Sequence, residues 1–475
     1  SKLYSGLSMT GLQGPAGQAD IAGIDEGFSA YVRVLWNLQE LPTDEAVCGW
    51  NDPGIPTLNK MQWNADDGWV KGMYYRIYYQ ITLCNEFIYQ SRDERLDERG
   101  FSDADKEMIR MYRNEARFLR SLSYFHAMDL FGNVPFVTEE DRVGAFQPER
   151  ITRTDLFNYV ESELIDLSNV LSAAGTVDYG RATREAAKTL LAKVYLNAEV
   201  YAGTNRYDDC RNYCEQVINS GAFQLDMDYQ HLFLADNQNS SEVIFPVVYD
   251  GLYAQTWGGT TYLVCGALGG SMNAADYGVN GKWGGLRSTS AFVNKFPDTT
   301  EDSRFLFYRD GQELEITNLG TFTQGYAYPK YKNVTSVGDV GSNNGTSAHV
   351  DIDFPMFRLA DVYLMLAESA YRNGDQGTAL NYINMLRERA YGNSNNNMSS
   401  INLDDILDER SRELAWEGSR RTDLIRFGKF TSGDYVWPFK GGDVSGIGTS
   451  SHLELYPIPT SDLILNPNLT QNPGY

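Results

Sequence analysis

A recurring pair of amphipathic helices constrains this chain more than any other feature of its sequence. Over 357–373 apolar residues return at helical spacing, a turn falls at Gly374-Asp375, and a second helix is predicted over 377–390. Together these make a helix–turn–helix unit of about 34 residues, the length of a tetratricopeptide-like repeat. Segments 182–202 and 207–219 form another such unit. One unit cannot bury its apolar face alone, so the chain must stack such pairs into an array.

Further helices are predicted near 28–38, over 69–89 and 103–130, and over 153–172 and 403–427. Ser102-Asp103 is a plausible start for the second long helix, and Gly132 follows its end. The stretch 221–350 differs: it is rich in Gly, Ser, Asn, Thr and aromatics, with a strand-like run over 243–248. The expected fold is mainly α, a tetratricopeptide-like helical scaffold with a loop-rich insertion carrying short strands. Residues 1–475 are read as one unit. The scaffold is 67–220 and 351–430, and the insertion 221–350 works with 20–60 as the binding region, because function concentrates on loops held by a rigid frame.

Charge narrows the partners. Sixty-three acidic residues against 40 basic leave a net charge of −23, which argues against nucleic acid, whose binding rests on Lys and Arg. Aromatic residues make up 13% of the chain, with 31 Tyr, 22 Phe and 8 Trp. Tyr and Trp combine an apolar face with a polar handle. That composition suits stacking on sugars or partner surfaces, and equally suits a Tyr-rich helical core.

No phosphate-binding loop, H-E-x-x-H helix, complete EF-hand or G-x-S-x-G elbow occurs. Of four histidines, His126 falls inside a long helix and is read as packed. The five cysteines (48, 84, 210, 214 and 265) are too few and too scattered for a disulfide framework. The chain is read as non-enzymatic, although counting alone leaves a two-carboxylate glycosidase open. No cofactor is required. Asp351 with Asp353 on one side of an extended segment, together with Asp236, is the candidate set for a structural calcium ion, against the plainer reading of a solvated acidic surface.

Several segments then carry a resemblance. They are 115–120 (EARFLR) running on to 129–135 (DLFGNVP), 180–183 (GRAT), 191–196 (LAKVYL), 357–364 (FRLADVYL), 409–418 (ERSRELAWEG), 421–424 (RTDL) and the ending 456–475. In this order, nearly end to end, the chain resembles the SusD/RagB family of Bacteroidota outer-membrane glycan-binding lipoproteins. The resemblance extends to the family's starch-binding founder through 40–45, 258–266 and 423–428.

That resemblance implies surface binding of starch or maltooligosaccharides without cleavage. It also implies a lipid anchor to the outer membrane ahead of Ser1 and a SusC-type TonB-dependent transporter as partner. In the founder an arc of three aromatic side chains follows the curve of a starch helix. Its positions map to Trp50, Trp257 (a tyrosine in the founder) and Trp283. The founder's sugar-contacting arginine and aspartate map to Arg33 and Asp25, and its asparagine falls at Asn51-Asp52. A different glycan on the same scaffold, a glycosidase, and a pure interaction module are the alternatives. Trp36, Trp63 and Trp69 are expected in the core or on a partner surface, Trp416 is expected to be packed, and Trp437 has no assigned role.

Physical chemistry supports the mapping. A sugar ring presents an apolar C–H face and a rim of hydroxyls, which suit a flat indole and a charged hydrogen-bonding group respectively. Trp283 lies in Gly281-Lys282-Trp283-Gly284-Gly285, where neighbours supply little packing.

Overall fold

The structure, a computed structural model, describes residues 1–475 apart from 142, 143 and 145. Its frame is a succession of packed helices: α1 (Tyr31–Glu40), α2 (Gly68–Gln90), α3 (Asp103–Phe131), α4 (Arg153–Val170), α5 (Arg184–Leu196) and α6 (Tyr207–Asn219). After the insertion come α7 (Leu359–Arg372), α8 (Gln376–Tyr391), α9 (Leu403–Leu414) and α10 (Arg420–Arg426). From α2 to α6 each helix packs on the next, and α6 packs on α7 across 139 intervening residues. The insertion therefore leaves the array continuous.

Local chemistry sets the helix ends. Asp67, Ser102, Thr152, Thr183 and Asp375 each accept backbone N–H bonds at the starts of α2, α3, α4, α5 and α8. Asn402 and Asp405 form a reciprocal capping box on α9.

Three helix expectations are corrected. Residues 357 and 358 are strand, not helix: Phe354–Arg358 pairs antiparallel with Val243–Val247, burying the run expected over 243–248 up to Val247 and leaving Val248 exposed. The helix expected over 182–202 starts at Arg184 and is interrupted at Asn197. There the side-chain amide bonds back to the Lys193 carbonyl at 2.9 Å and takes Arg426 Nη1 at 2.9 Å.

The helix expected over 403–427 breaks at 415–419, where Trp416 adopts φ 63° and Gly418 φ 77°. Trp416 is held in that costly conformation by buried bonds. Its N–H donates to Glu45 Oε2 (3.2 Å), and its carbonyl accepts from Trp36 Nε1 (2.9 Å) and Tyr331 Oη (3.2 Å).

The five cysteines are free and buried. His126 is packed as expected, its Nδ1 2.8 Å from Tyr31 Oη, and burial pushes its pKa down to about 4. Trp36, Trp63, Trp69, Trp416 and Trp437 are all in the core.

Beneath the C-terminal helices lies a buried ion network. Arg358 donates to Glu242 (2.8 Å), Glu413 (2.7 Å) and Glu417 (2.6 Å). Arg304 is shared by Asp302, Glu409 and Glu413. Arg410 and Arg426 clasp Asp423 at 2.8 and 2.7 Å. These charges are satisfied by one another, the condition under which burying them is tolerable.

Candidate functional site

Two short connections build the site. Val47–Cys48 pairs antiparallel with Leu286–Arg287, which fixes the loop carrying Trp50 beside the loop carrying Trp283. A short helix, Gly259–Ala267, starts two residues after Trp257. Its C-terminal carbonyls would otherwise lack partners. Instead Trp283 N–H bonds Cys265 O (2.8 Å), Gly285 N–H bonds Gly266 O (2.9 Å), and Gly284 N–H bonds Leu268 O (2.8 Å). The Gly-rich loop 281–285 is thus a pinned cap, and Lys282 Nζ ties it further to the Gly270 carbonyl at 2.7 Å.

On this frame the three tryptophans come together, each half-buried. Their spatial order is Trp50, Trp283, Trp257. Ring centroids are 6.3 Å apart at 51° for the first pair and 6.0 Å apart at 56° for the second. Trp50 Nε1 donates to the Trp283 carbonyl at 3.1 Å. Trp50 also lies flat on Gly285, where a Cβ would stand 2.4 Å from indole Cε2. Gly258 permits a similar approach, since a Cβ there would meet Ala30 Cβ at 2.4 Å.

Arg33 on α1 sits behind the row, 9% exposed. Its Nη1 donates to the carbonyls of Gly27 (2.9 Å) and Trp257 (3.0 Å), and its guanidinium lies 4.3 Å from the Tyr262 ring and 5.9 Å from Trp50. Burial lowers its pKa, while Asp52 and Asp25 lie close enough to oppose that shift. Among the described residues Nη2 has no hydrogen-bonded protein acceptor. Asp25 is exposed and accepts the Gly27 N–H at 2.7 Å. Asn51 and Asp52 are exposed on the turn that follows Trp50.

Two residues of the site carry no assignment from sequence reasoning. Tyr262, fully buried, floors the site beneath Arg33 and Trp50 and donates to Asn37 at 2.9 Å. It falls within the 258–266 segment that carries the resemblance. His349 packs against Trp257 with ring centroids 4.4 Å apart at 44°, and its Nδ1 lies 3.1 Å from the Thr256 carbonyl. Burial lowers its pKa, and the buried ring backs Trp257 from the protein side. Nothing near His349 in sequence signals this, because the contact spans 92 residues.

The carboxylates considered for calcium are each taken up in hydrogen bonds to the protein. Asp236 takes the N–H and hydroxyl of Ser336 at 2.9 and 2.6 Å. Asp351 takes Gly251 N–H (2.7 Å) and Ser342 N–H and hydroxyl (2.5 and 2.6 Å). Asp353 accepts the Tyr249 N–H at 2.9 Å, and burial pushes its pKa up to about 7. Each oxygen set is engaged in pinning a loop. Among the described residues no group of three or more His, Cys, Asp or Glu side chains is placed to hold an ion.

A helical array that presents a row of half-buried indoles on pinned loops defines a class: a helical scaffold protein with an aromatic surface row. The chain belongs to the SusD family. Residues 254–475 match the SusD family model, and residues 45–196 match a model described as starch-binding, associating with the outer membrane. The chain is 34% identical to the starch-binding protein SusD of Bacteroides thetaiotaomicron, covering 100% of this chain and 91% of that one. A SusD-like protein of Bacteroides ovatus is 28% identical over 80% of this chain and 69% of its own length.

Among solved structures, surface glycan-binding protein A of Bacteroides thetaiotaomicron, in complex with laminarihexaose, superposes with a TM-score of 0.76 at 20% identity, covering 99% and 97% of the two chains. A SusD superfamily protein from the same species gives 0.75 at 21% identity, over 99% and 97%. The fold is that of the SusD superfamily. Among the described residues no helix is long and apolar enough to cross a membrane.

Proposed function

We propose that this protein binds starch or maltooligosaccharides at the outer-membrane surface without cleaving them, anchored by lipid, and passes them to a SusC-type TonB-dependent transporter. The observation that carries the reading is the row Trp50–Trp283–Trp257. Each indole gains contact only where a sugar face lies flat against it, and successive rings inclined by more than 50° suit a chain that curves rather than a flat ribbon. Behind the row, Arg33 Nη2, Asp25, Asn51 and Asp52 are the groups for the hydroxyl rim. The likeness to SusD over the whole chain supports the α-glucan.

A second reading, a β-1,3-glucan, rests on the superposed protein that was solved with laminarihexaose. Isothermal titration with α-cyclodextrin, maltoheptaose and laminarihexaose separates the two, with a reducing-end assay alongside. Binding of the first two with no release of reducing ends is expected. Preference for laminarihexaose transfers the site to the second reading. Sustained turnover abolished by one carboxylate substitution overturns both.

A further inference from the structure

Trp257 ends the exposed row and packs on the buried ring of His349, whose carbonyl stands 3.0 Å from the position a Cβ would take at Gly251. Gly251 opens a tight loop with a braced stem. Its N–H is held by Asp351 at 2.7 Å, Asp250 Oδ1 accepts the N–H groups of both Leu252 and Tyr253 at 2.7 Å, Ala254 N–H returns to Asp250 O (3.1 Å), and Gln255 Nε2 donates to Gly251 O (2.7 Å).

The tip of this stem is apolar and faces water: Leu252 is 50% exposed and Tyr253 is 86% exposed. An aromatic ring held out on a hydrogen-bonded turn has little backbone entropy to lose when a ligand covers it. Tyr253 is only four residues from Trp257, so their Cα atoms are at most about 14 Å apart.

We infer that the Leu252–Tyr253 tip is an outlying aromatic subsite, engaging glucan chain that runs past Trp257. The inference rests on the glucan-binding reading above. It gives the protein a length preference. A closed or short ligand is served by the three indoles, whereas a long chain gains a further stacking contact at Tyr253.

The test titrates α-cyclodextrin and a long linear maltooligosaccharide into wild type, Tyr253→Ala and Tyr253→Phe. Its exposure means that the substitution leaves no cavity, and unchanged melting temperatures verify this. In Tyr253→Ala the long chain should lose affinity by about fivefold more than α-cyclodextrin does. Tyr253→Phe, which keeps the ring, should restore the wild-type ratio. Equal losses for both ligands, or no loss for either, overturn the subsite while leaving the tryptophan row standing. Wild type that binds neither glucan overturns the function itself, and the subsite with it.

Discussion

Trp283→Ala is the most informative single change, because Trp283 alone touches both other indoles. The backbone bonds of residue 283 survive the substitution: its N–H to Cys265 and its carbonyl, which receives Trp50 Nε1, are main-chain groups. The frame of the loop therefore stays, and what is lost is the central ring. A sugar covering the exposed part of this indole removes at most on the order of 80 Å² of apolar surface from water, worth up to about 2 kcal/mol at 25 cal/mol per Å². That is a weakening of up to roughly thirtyfold. Titration calorimetry with α-cyclodextrin measures it, and a thermal melt tests that the variant is folded. Trp50→Ala and Trp257→Ala, at the ends of the row, should cost less each. A folded Trp283→Ala that binds like wild type would refute the row as the binding face.

Three other outcomes follow from the geometry. Gly285→Ala drives a methyl into the Trp50 indole without straining the backbone, so it should weaken glucan binding severalfold while shifting the melting temperature little; equal affinity would show that Trp50 does not need its present seat. Arg33→Ala leaves the Gly27 and Trp257 carbonyls without their buried donor. A stability loss of about 1–3 kcal/mol by chemical denaturation is expected, together with weaker binding, and an unchanged denaturation midpoint would contradict it. Arg partners hold Glu409 and Asp423 near a pKa of about 2 against the burial that opposes them, with Glu413 lower still. Depressed carboxyls contribute stability that is complete above their unfolded values of about 4 and is lost as pH falls toward 2. Melting temperature should therefore fall steeply between about pH 4 and 2, and a flat profile there would count against the network.

How much of this was legible in the sequence depends on how local each feature is. The array was readable because helical periodicity recurs within each segment, and the caps at Ser102 and Asp375 act within three residues. The expected run through 403–427 failed because Trp416 takes its left-handed turn from Glu45 and Trp36, residues about 370 positions away. The Tyr-rich composition pointed weakly at ligand. Tyr31, Tyr124, Tyr328 and Tyr456 are all buried, each hydroxyl hydrogen-bonded to the protein. The tryptophans were picked out by resemblance and by glycine-rich surroundings. Their order in space depends on a strand pair only two residues long, too short to leave a periodic signal.

Family signature and binding face are physically separate in this protein. The 409–418 and 421–424 motifs supply Glu409, Arg410, Glu413, Glu417, Arg421 and Asp423, which face Arg304, Arg358, Asp361, Arg426 and Asp129 in the interior. Removing one partner there strands a buried charge, a loss of several kcal/mol, so these positions tolerate little change whatever the ligand. The rings at 50 and 283 stand on loops whose backbones are pinned by main-chain bonds, such as Trp283 N–H to Cys265 O and Gly49 N–H to Gly285 O, and the Trp257 carbonyl is held by Arg33. Such a side chain can be exchanged without disturbing its frame. The motifs that place the chain in its family therefore say least about its glycan, and the ligand must be sought in the loops.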